Sequence, residues 1–234
     1  MAMKIITEIE RPSADIVKGF NALFEYESPA CAVSDAMERF NAMGPDIRPA
    51  FEGIRVAGVA VTAQCISSDL AGVLKAIDVA KPGDIIVVDT YGSKNTVFWG
   101  ENVSMSAKNR GIVASIIDGP TRDIEEIRRL RFPVLSRGTV PNAGSITGYG
   151  QVNVPIQCGG APVNPGDIIF VDSNGVVVVP RLNAETILSR TKHILDTENI
   201  VQDKIEAGAT IGELINIDSM FETIFAYQER ATKK

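Results

Sequence analysis

Lys81-Pro82-Gly83-Asp84-Ile85-Ile86-Val87-Val88-Asp89 is a turn that runs straight into a strand. Pro82 fixes its own φ and Gly83 tolerates a positive one, which is turn chemistry. The run Ile85 to Val88 is too short for a helix. It is apolar at every position rather than at alternate ones, as in a strand buried on both faces. Such strands belong to sheets covered on both sides, and that points to an α/β fold. A near copy, Asn164-Pro165-Gly166-Asp167-Ile168-Ile169-Phe170-Val171-Asp172, repeats turn and strand; we read it as a recurrent turn rather than a duplication.

Working outward, helical and strand patterns alternate. Asp15 to Phe24 reads as a helix, and Ser34-Asp35-Ala36-Met37-Glu38 as the opening of another with Ser34 as N-cap. Ile54 to Ala63 reads as a strand, Leu70 to Ala80 as a helix, Ile112 to Ile117 as a buried strand and Ile124 to Leu130 as a helix. Asn174-Gly175 makes Ile168 to Val171 and Val176 to Val179 a hairpin, ended by Pro180. Residues 140–160, rich in Gly, Pro, Asn and Ser, read as loops around short strands. Beyond Asn183 the chain reads as helical, with a break at Ala207-Gly208-Ala209 and a last helix near Ser219 to Arg230. No disordered linker intervenes. The expectation is one mixed α/β domain over residues 1–234, with an N-terminal helical segment (about 1–50) and a C-terminal helical extension (about 183–234).

The chemistry-bearing stretch is Gly100-Glu101-Asn102-Val103, followed after the 112–117 strand by Asp118-Gly119-Pro120-Thr121-Arg122-Asp123 and Glu126. Both clusters should emerge at neighbouring ends of one packed layer. A glycine-led helix start offers unpaired N–H groups, Arg122 can grip a carboxylate through two parallel bonds, and Asp123 with Glu101 or Glu126 can hold a cation. The same residues also suit a plain structural role, Asp123 near the N-terminus of a helix whose C-terminal end carries Arg128, Arg129 and Arg131.

Composition removes several function classes. The 234 residues include one histidine, His193, so a His-rich zinc site and an ordinary Ser–His triad are disfavoured. Ligands to any metal should be oxygens, pointing to Mg²⁺ or Mn²⁺. Cys31, Cys65 and Cys158 are scattered and odd in number, which fits buried thiols in a reducing compartment. The net charge of −6, with no basic tail or stripe, argues against nucleic-acid binding. No apolar run is long enough to span a membrane and the start lacks an apolar signal core, so a cytoplasmic location is expected. Lys75, Lys81, Lys94 and Lys108 fall on helix faces or turns, disfavouring a Schiff-base lysine.

The order Ser34-Asp35-Ala36, Pro82-Gly83-Asp84, Gly100-Glu101, Asp118-Gly119-x-x-Arg122-Asp123-x-x-Glu126, Asn153-Val154-Pro155, Gly159-Gly160-x-x-Val163-x-Pro165-Gly166-Asp167 and Gly175-Val176-Val177 resembles the RraA-like family. That family includes 4-hydroxy-4-methyl-2-oxoglutarate aldolases, 4-carboxy-4-hydroxy-2-oxoadipate aldolases and regulators of ribonuclease activity. The resemblance implies a swivelling β/β/α fold with a mixed central sheet or barrel, assembled into homotrimers or hexamers with sites at subunit interfaces. It implies a metal-dependent lyase that releases pyruvate from a 4-hydroxy-2-oxo acid and decarboxylates oxaloacetate. Asp123 would bind the metal directly, Arg122 the substrate carboxylate, and the turn Gly100, Glu101, Asn102 and Val103 the pyruvyl end. Glu101 would orient metal-bound water, and Glu198 would enter the neighbouring subunit's site. The other reading is a non-catalytic regulator that binds ribonuclease E or another protein. This chain departs from the family's aldolases at Leu70, where Asn is common after Asp, at Trp99, where a small residue is typical, and at Asn102, where an apolar one is common.

Overall fold

The computed structural model describes residues 3–232. They form two compact units divided between Thr191 and Lys192. The first contains α1 (Ala14–Ala22), α2 (Pro29–Ala36), β1 (Arg48–Pro49), β2 (Val56–Gln64), α3 (Ala71–Val79), β3 (Asp84–Asp89), α4 (Glu101–Asn109), β4 (Ala114–Ile117), α5 (Ile124–Leu130) and β5 (Val134–Ser136). It continues with β6 (Gln151–Val152), β7 (Ile156–Cys158), β8 (Ala161–Val163), β9 (Ile168–Asp172) and β10 (Gly175–Val179). Helix α6 (Ala184–Glu206) crosses the division, and α7 (Ile211–Ile215) and α8 (Ile217–Thr232) lie in the second unit. No helix among the described residues is long and apolar enough to cross a membrane.

The architecture is mixed α/β. Eight strands form one sheet in the order β1-β5-β4-β3-β2-β9-β10, with β6 also paired to β2. Strands β2, β3, β4 and β5 are parallel neighbours, each joined to the next through one of α3, α4 and α5; β1, β6, β9 and β10 pair antiparallel. The apolar run after Pro82-Gly83 is buried along its whole length as β3. Its pleat sends Ile86 and Val88 into one core with Val73, Ile77, Ala107 and Ile127 of the three helices. Ile85 and Val87 enter a second core with Ile156, Cys158, Ala161 and Val163 of the separate β7–β8 hairpin. That layer on each face is why an unbroken apolar strand is tolerated here.

The Pro-Gly-Asp turns recur for a shared reason. Asp84 accepts from the Lys81 N–H at 2.7 Å and Asp167 from the Asn164 N–H at 2.8 Å, each buried carboxylate closing its own turn. The expected hairpin forms as β9–β10, with Val176 opposite Val171. The helix expected to open at Ser34 instead starts at Pro29 and ends at Ala36, so Ser34 lies in its last turn. Pro29 sets the first helical φ, and Asp172 accepts from the Ala30 N–H at 2.9 Å, supplying from another strand the cap that Ser34 suggested locally. Cys65 and Cys158 are buried, whereas Cys31 is exposed on α2, which corrects its reading as a buried thiol.

Candidate active site at the Gly100 and Arg122–Asp123 turn

Because β3 and β4 are adjacent and parallel, the loops leaving their C-terminal ends lie side by side, and these loops start α4 and α5. Three bonds stitch them together. The Arg122 N–H donates to the Trp99 carbonyl at 3.1 Å, the Thr121 hydroxyl donates to the same oxygen at 2.8 Å, and the Glu101 N–H donates to Asp123 Oδ2 at 3.0 Å.

Asp123 stands at the N-cap position of α5 with φ 56° and ψ 44°, the left-handed region, and its side chain does not cap that helix. The carboxylate caps α4 instead. Asp and Asn tolerate this conformation better than most residues, at a cost of about 1–3 kcal/mol. Gly100 makes the approach possible, since a Cβ there would sit 2.6 Å from Asp123 Oδ2 and 3.3 Å from Arg122 Cγ. The plain helix-capping role considered for Asp123 is thus transferred from its own helix to the neighbouring one.

The first turn of α4 keeps open donors. Glu101 N–H is taken by Asp123 and Ser104 N–H by the Gly100 carbonyl, whereas the N–H groups of Asn102 and Val103 have no acceptor among the described residues. Beside them Arg122 Nε lies 3.5 Å from Asp123 Oδ2, both side chains being partly exposed. Gly100, Asn102, Val103, Arg122 and Asp123 line one small cleft together with Leu70 and Trp99. Trp99 forms its floor: only 1 % exposed, it stacks on Phe132 and donates its indole N–H to the Ser104 hydroxyl at 2.8 Å, which donates to the Gly100 carbonyl at 2.9 Å.

The other expected residues, Glu101, Glu126 and Glu198, do not line this cleft. The Glu101 carboxylate pairs with Arg129 at 3.3 Å. Glu126, in the first turn of α5, makes no side-chain hydrogen bond or ion pair among the described residues. Glu198 is an exposed residue of α6 within the second unit. The roles of Thr121, Ser104 and Arg129 escaped the sequence reading, which quoted Thr121 and Arg129 without giving them a part in the site; Ser104 could have been noticed one helical turn after Gly100, but Arg129 reaches Glu101 only through tertiary packing.

Leu70 precedes α3 beside Asp69, and Asp69 explains how the cleft wall is held. It is 1 % exposed; Oδ1 accepts from the Ala71 N–H at 2.8 Å, and Oδ2 from the N–H groups of Thr147 and Tyr149 at 3.0 and 2.9 Å and from the Thr147 hydroxyl. Burial alone would push this carboxyl upward, but the Thr147 hydroxyl and the three amides outweigh it and hold the pKa at about 2. The carboxylate thereby pins the 145–149 loop to the start of α3.

As a place for a metal, the turn offers a limited donor set. Asp123 Oδ1 accepts no hydrogen bond from the described residues, while Oδ2 is committed to Glu101 N–H. No group of three or more His, Cys, Asp or Glu side chains converges among the described residues. One free carboxylate oxygen beside exposed space suits a hard cation that keeps most of its waters, as Mg²⁺ does.

Comparison with known proteins places these elements in a family. The RraA-like model, described as Aldolase/RraA, matches residues 30–178. A Halalkalibacterium halodurans protein named "Putative 4-hydroxy-4-methyl-2-oxoglutarate aldolase" is 41% identical over 70% of this chain and 78% of its own. The fold is similar to that of a Streptomyces coelicolor protein, RraAS2, described as an unusual member of the RNase ES inhibitor RraA protein family; the TM-score is 0.70 at 28% identity, over 83% of this chain and 100% of the other. An uncharacterized Pseudomonas syringae protein is similar with a TM-score of 0.72 at 25% identity, over 88% of this chain and 98% of that one.

Proposed function

Because the chain belongs to the RraA-like family, we propose that it is a divalent-metal-dependent lyase that releases pyruvate from a 4-hydroxy-2-oxo acid such as 4-hydroxy-4-methyl-2-oxoglutarate, with oxaloacetate decarboxylation as a side activity. The observation that carries this reading is the Asp123 carboxylate, held in a left-handed turn against the start of α4, with Oδ2 bound to the Glu101 N–H and 3.5 Å from Arg122 Nε, and Oδ1 accepting no hydrogen bond from the described residues.

On the family resemblance, the residues that would hold Mg²⁺ or Mn²⁺ are Asp123 directly, with Glu101 and Glu198 through water, Glu198 coming from the neighbouring subunit of a trimer or hexamer; of these, the free Asp123 oxygen is what the donor set at the turn supports. When bound, such an ion supplies Lewis-acid stabilisation of negative charge on the 2-oxo group, an effect of several kcal/mol. Arg122 fixes the substrate carboxylate with its guanidinium fork. The open N–H groups of Asn102 and Val103 face the same anionic end with the positive pole of the helix behind them. Gly100 keeps the turn free of a side chain, so the small pyruvyl end can lie against backbone. Trp99 excludes water from beneath, and Leu70 presents an apolar wall to the distal substituent. In the cleavage itself the 4-hydroxyl gives its proton to a water acting as base, its oxygen forms the C4=O bond of the second, carbonyl product as the C3–C4 bond breaks with its electron pair going to C3, and C3 takes a proton from water to give pyruvate.

The test is pyruvate release from oxaloacetate by purified protein with Mg²⁺ or Mn²⁺, against EDTA, metal-only and Asp123→Ala controls. Release that needs both metal and Asp123 supports the reading; turnover by Asp123→Ala in EDTA refutes it. The second reading, a regulator that binds a ribonuclease, is favoured by the likeness to the Streptomyces coelicolor protein. It requires a folded, metal-loaded protein without lyase turnover that co-purifies with ribonuclease E.

A further inference from the structure

A cavity of ≈ 730 Å³ lies beside the 120–124 segment, within the size range of small-molecule sites. Pro120 and Ile124 contribute to its wall, but it shares no lining residue with the Gly100 cleft. Its charged lining is Asp46, Arg48, Lys94, Arg128 and Arg137, four bases against one acid, in a chain of net charge −6.

Most of that positive charge is uncompensated. Arg137 is bound by Asp118 and, at 3.3 Å, by Asp46. Arg128 spends only Nε, on the Ala50 carbonyl at 2.8 Å, and Arg48 spends only Nε, on the Pro45 carbonyl at 3.4 Å. None of Arg48, Lys94 and Arg128 has a carboxylate partner among the described residues, although other arginines of this chain, such as Arg11 with Asp84, do. Like charges gathered round one concavity repel one another, and a ligand of opposite sign relieves that repulsion. The hydroxyls of Ser93, Ser136 and Thr139 add neutral hydrogen-bonding groups to the wall.

We propose that this cavity binds a small polyanion, a molecule bearing two or more carboxylate or phosphate groups. Two guanidinium groups with open NH₂ ends and one ammonium match oxyanions spaced across the cavity, and the guanidinium fork accepts either chemistry. No aromatic side chain lines it, so it lacks the stacking platform that single-stranded nucleic acid uses. The site is separate from Arg122 and Asp123 and stands whether or not the lyase reading holds.

Calorimetric titration in metal-free, low-salt buffer with inorganic pyrophosphate and with tricarballylate tests it. Three proteins are compared: the unaltered chain, the double variant Arg48→Gln/Lys94→Gln, and Arg122→Ala. The double variant leaves the Arg128 bond to Ala50 and the Arg137 pairs intact, and circular dichroism checks its fold. The expected result is saturable binding of at least one probe, weakened about tenfold or more in the double variant and unchanged in Arg122→Ala. The better probe identifies the phosphate or the carboxylate class. Absence of saturable binding, undiminished affinity in the double variant, or loss of binding in Arg122→Ala would each overturn the proposal.

Discussion

Asp123 combines two demands, a backbone in the left-handed region and a carboxylate aimed at the neighbouring helix. Asparagine meets the first and keeps an oxygen for the Glu101 N–H, but it carries no charge. Asp123→Asn should therefore melt within about 1 kcal/mol of the unaltered protein while losing at least about a hundredfold in pyruvate release; calorimetry and the coupled assay check the two halves separately. Asp69 makes the opposite case, a carboxylate whose role is stability. Its pKa in the fold, about 2, lies below the ordinary 3.8, so its contribution is complete above about pH 4 and is lost as pH falls toward 2. Asp69→Asn should cost about 2–3 kcal/mol at neutral pH. The gap in melting temperature between the two proteins should narrow from pH 5 to pH 2; a constant gap would refute the assignment. The thiols of Cys65, pushed up to about 12 by burial, and of Cys158, pushed up by burial beside Asp118, are held protonated and unreactive.

Among the elements, β4 carries an anomaly. Ser115 lies opposite Ile86, on the helix-covered face, fully buried with its hydroxyl unpartnered. Ser115→Ala should raise stability by about 1 kcal/mol, read from chemical denaturation, because it removes an unsatisfied polar group without leaving a large void. The strands that set the architecture were legible because their signals are local: Pro-Gly-Asp followed by an apolar run marks β3 and β9, and Asn174-Gly175 marks the hairpin. The start of α2 was not, because its stabilising partner, Asp172, lies far along the chain. Helix α7 was not separated from its surroundings, since its capping box of Thr210 and Glu213 stands just past the break at Ala207-Gly208-Ala209, in a tail read only as generally helical. The candidate site divides in the same way. Gly100, Arg122 and Asp123 could be named from sequence, whereas Thr121, Ser104 and Arg129 act through the packing of one loop on another.

For the molecule as a whole, the proposed site draws on two chains, with Arg122 and Asp123 from one and Glu198 from the next. Arg122→Ala and Glu198→Ala should each be nearly inactive alone. Mixing them under conditions that exchange subunits should restore part of the activity, because some interfaces then pair two unaltered halves. No recovery despite exchange, followed by sedimentation of a size-tagged variant, would place the whole site within one chain. The left-handed Asp123 also bears on descent. The residues that accept its backbone most readily are Asp, Asn and Gly, and in the genetic code the Asp codons reach those of Asn and of Gly by one base change each. A lineage can thus silence the chemistry proposed for this position by a single nucleotide step while the protein goes on folding, which leaves a sound scaffold free to be recruited for binding alone.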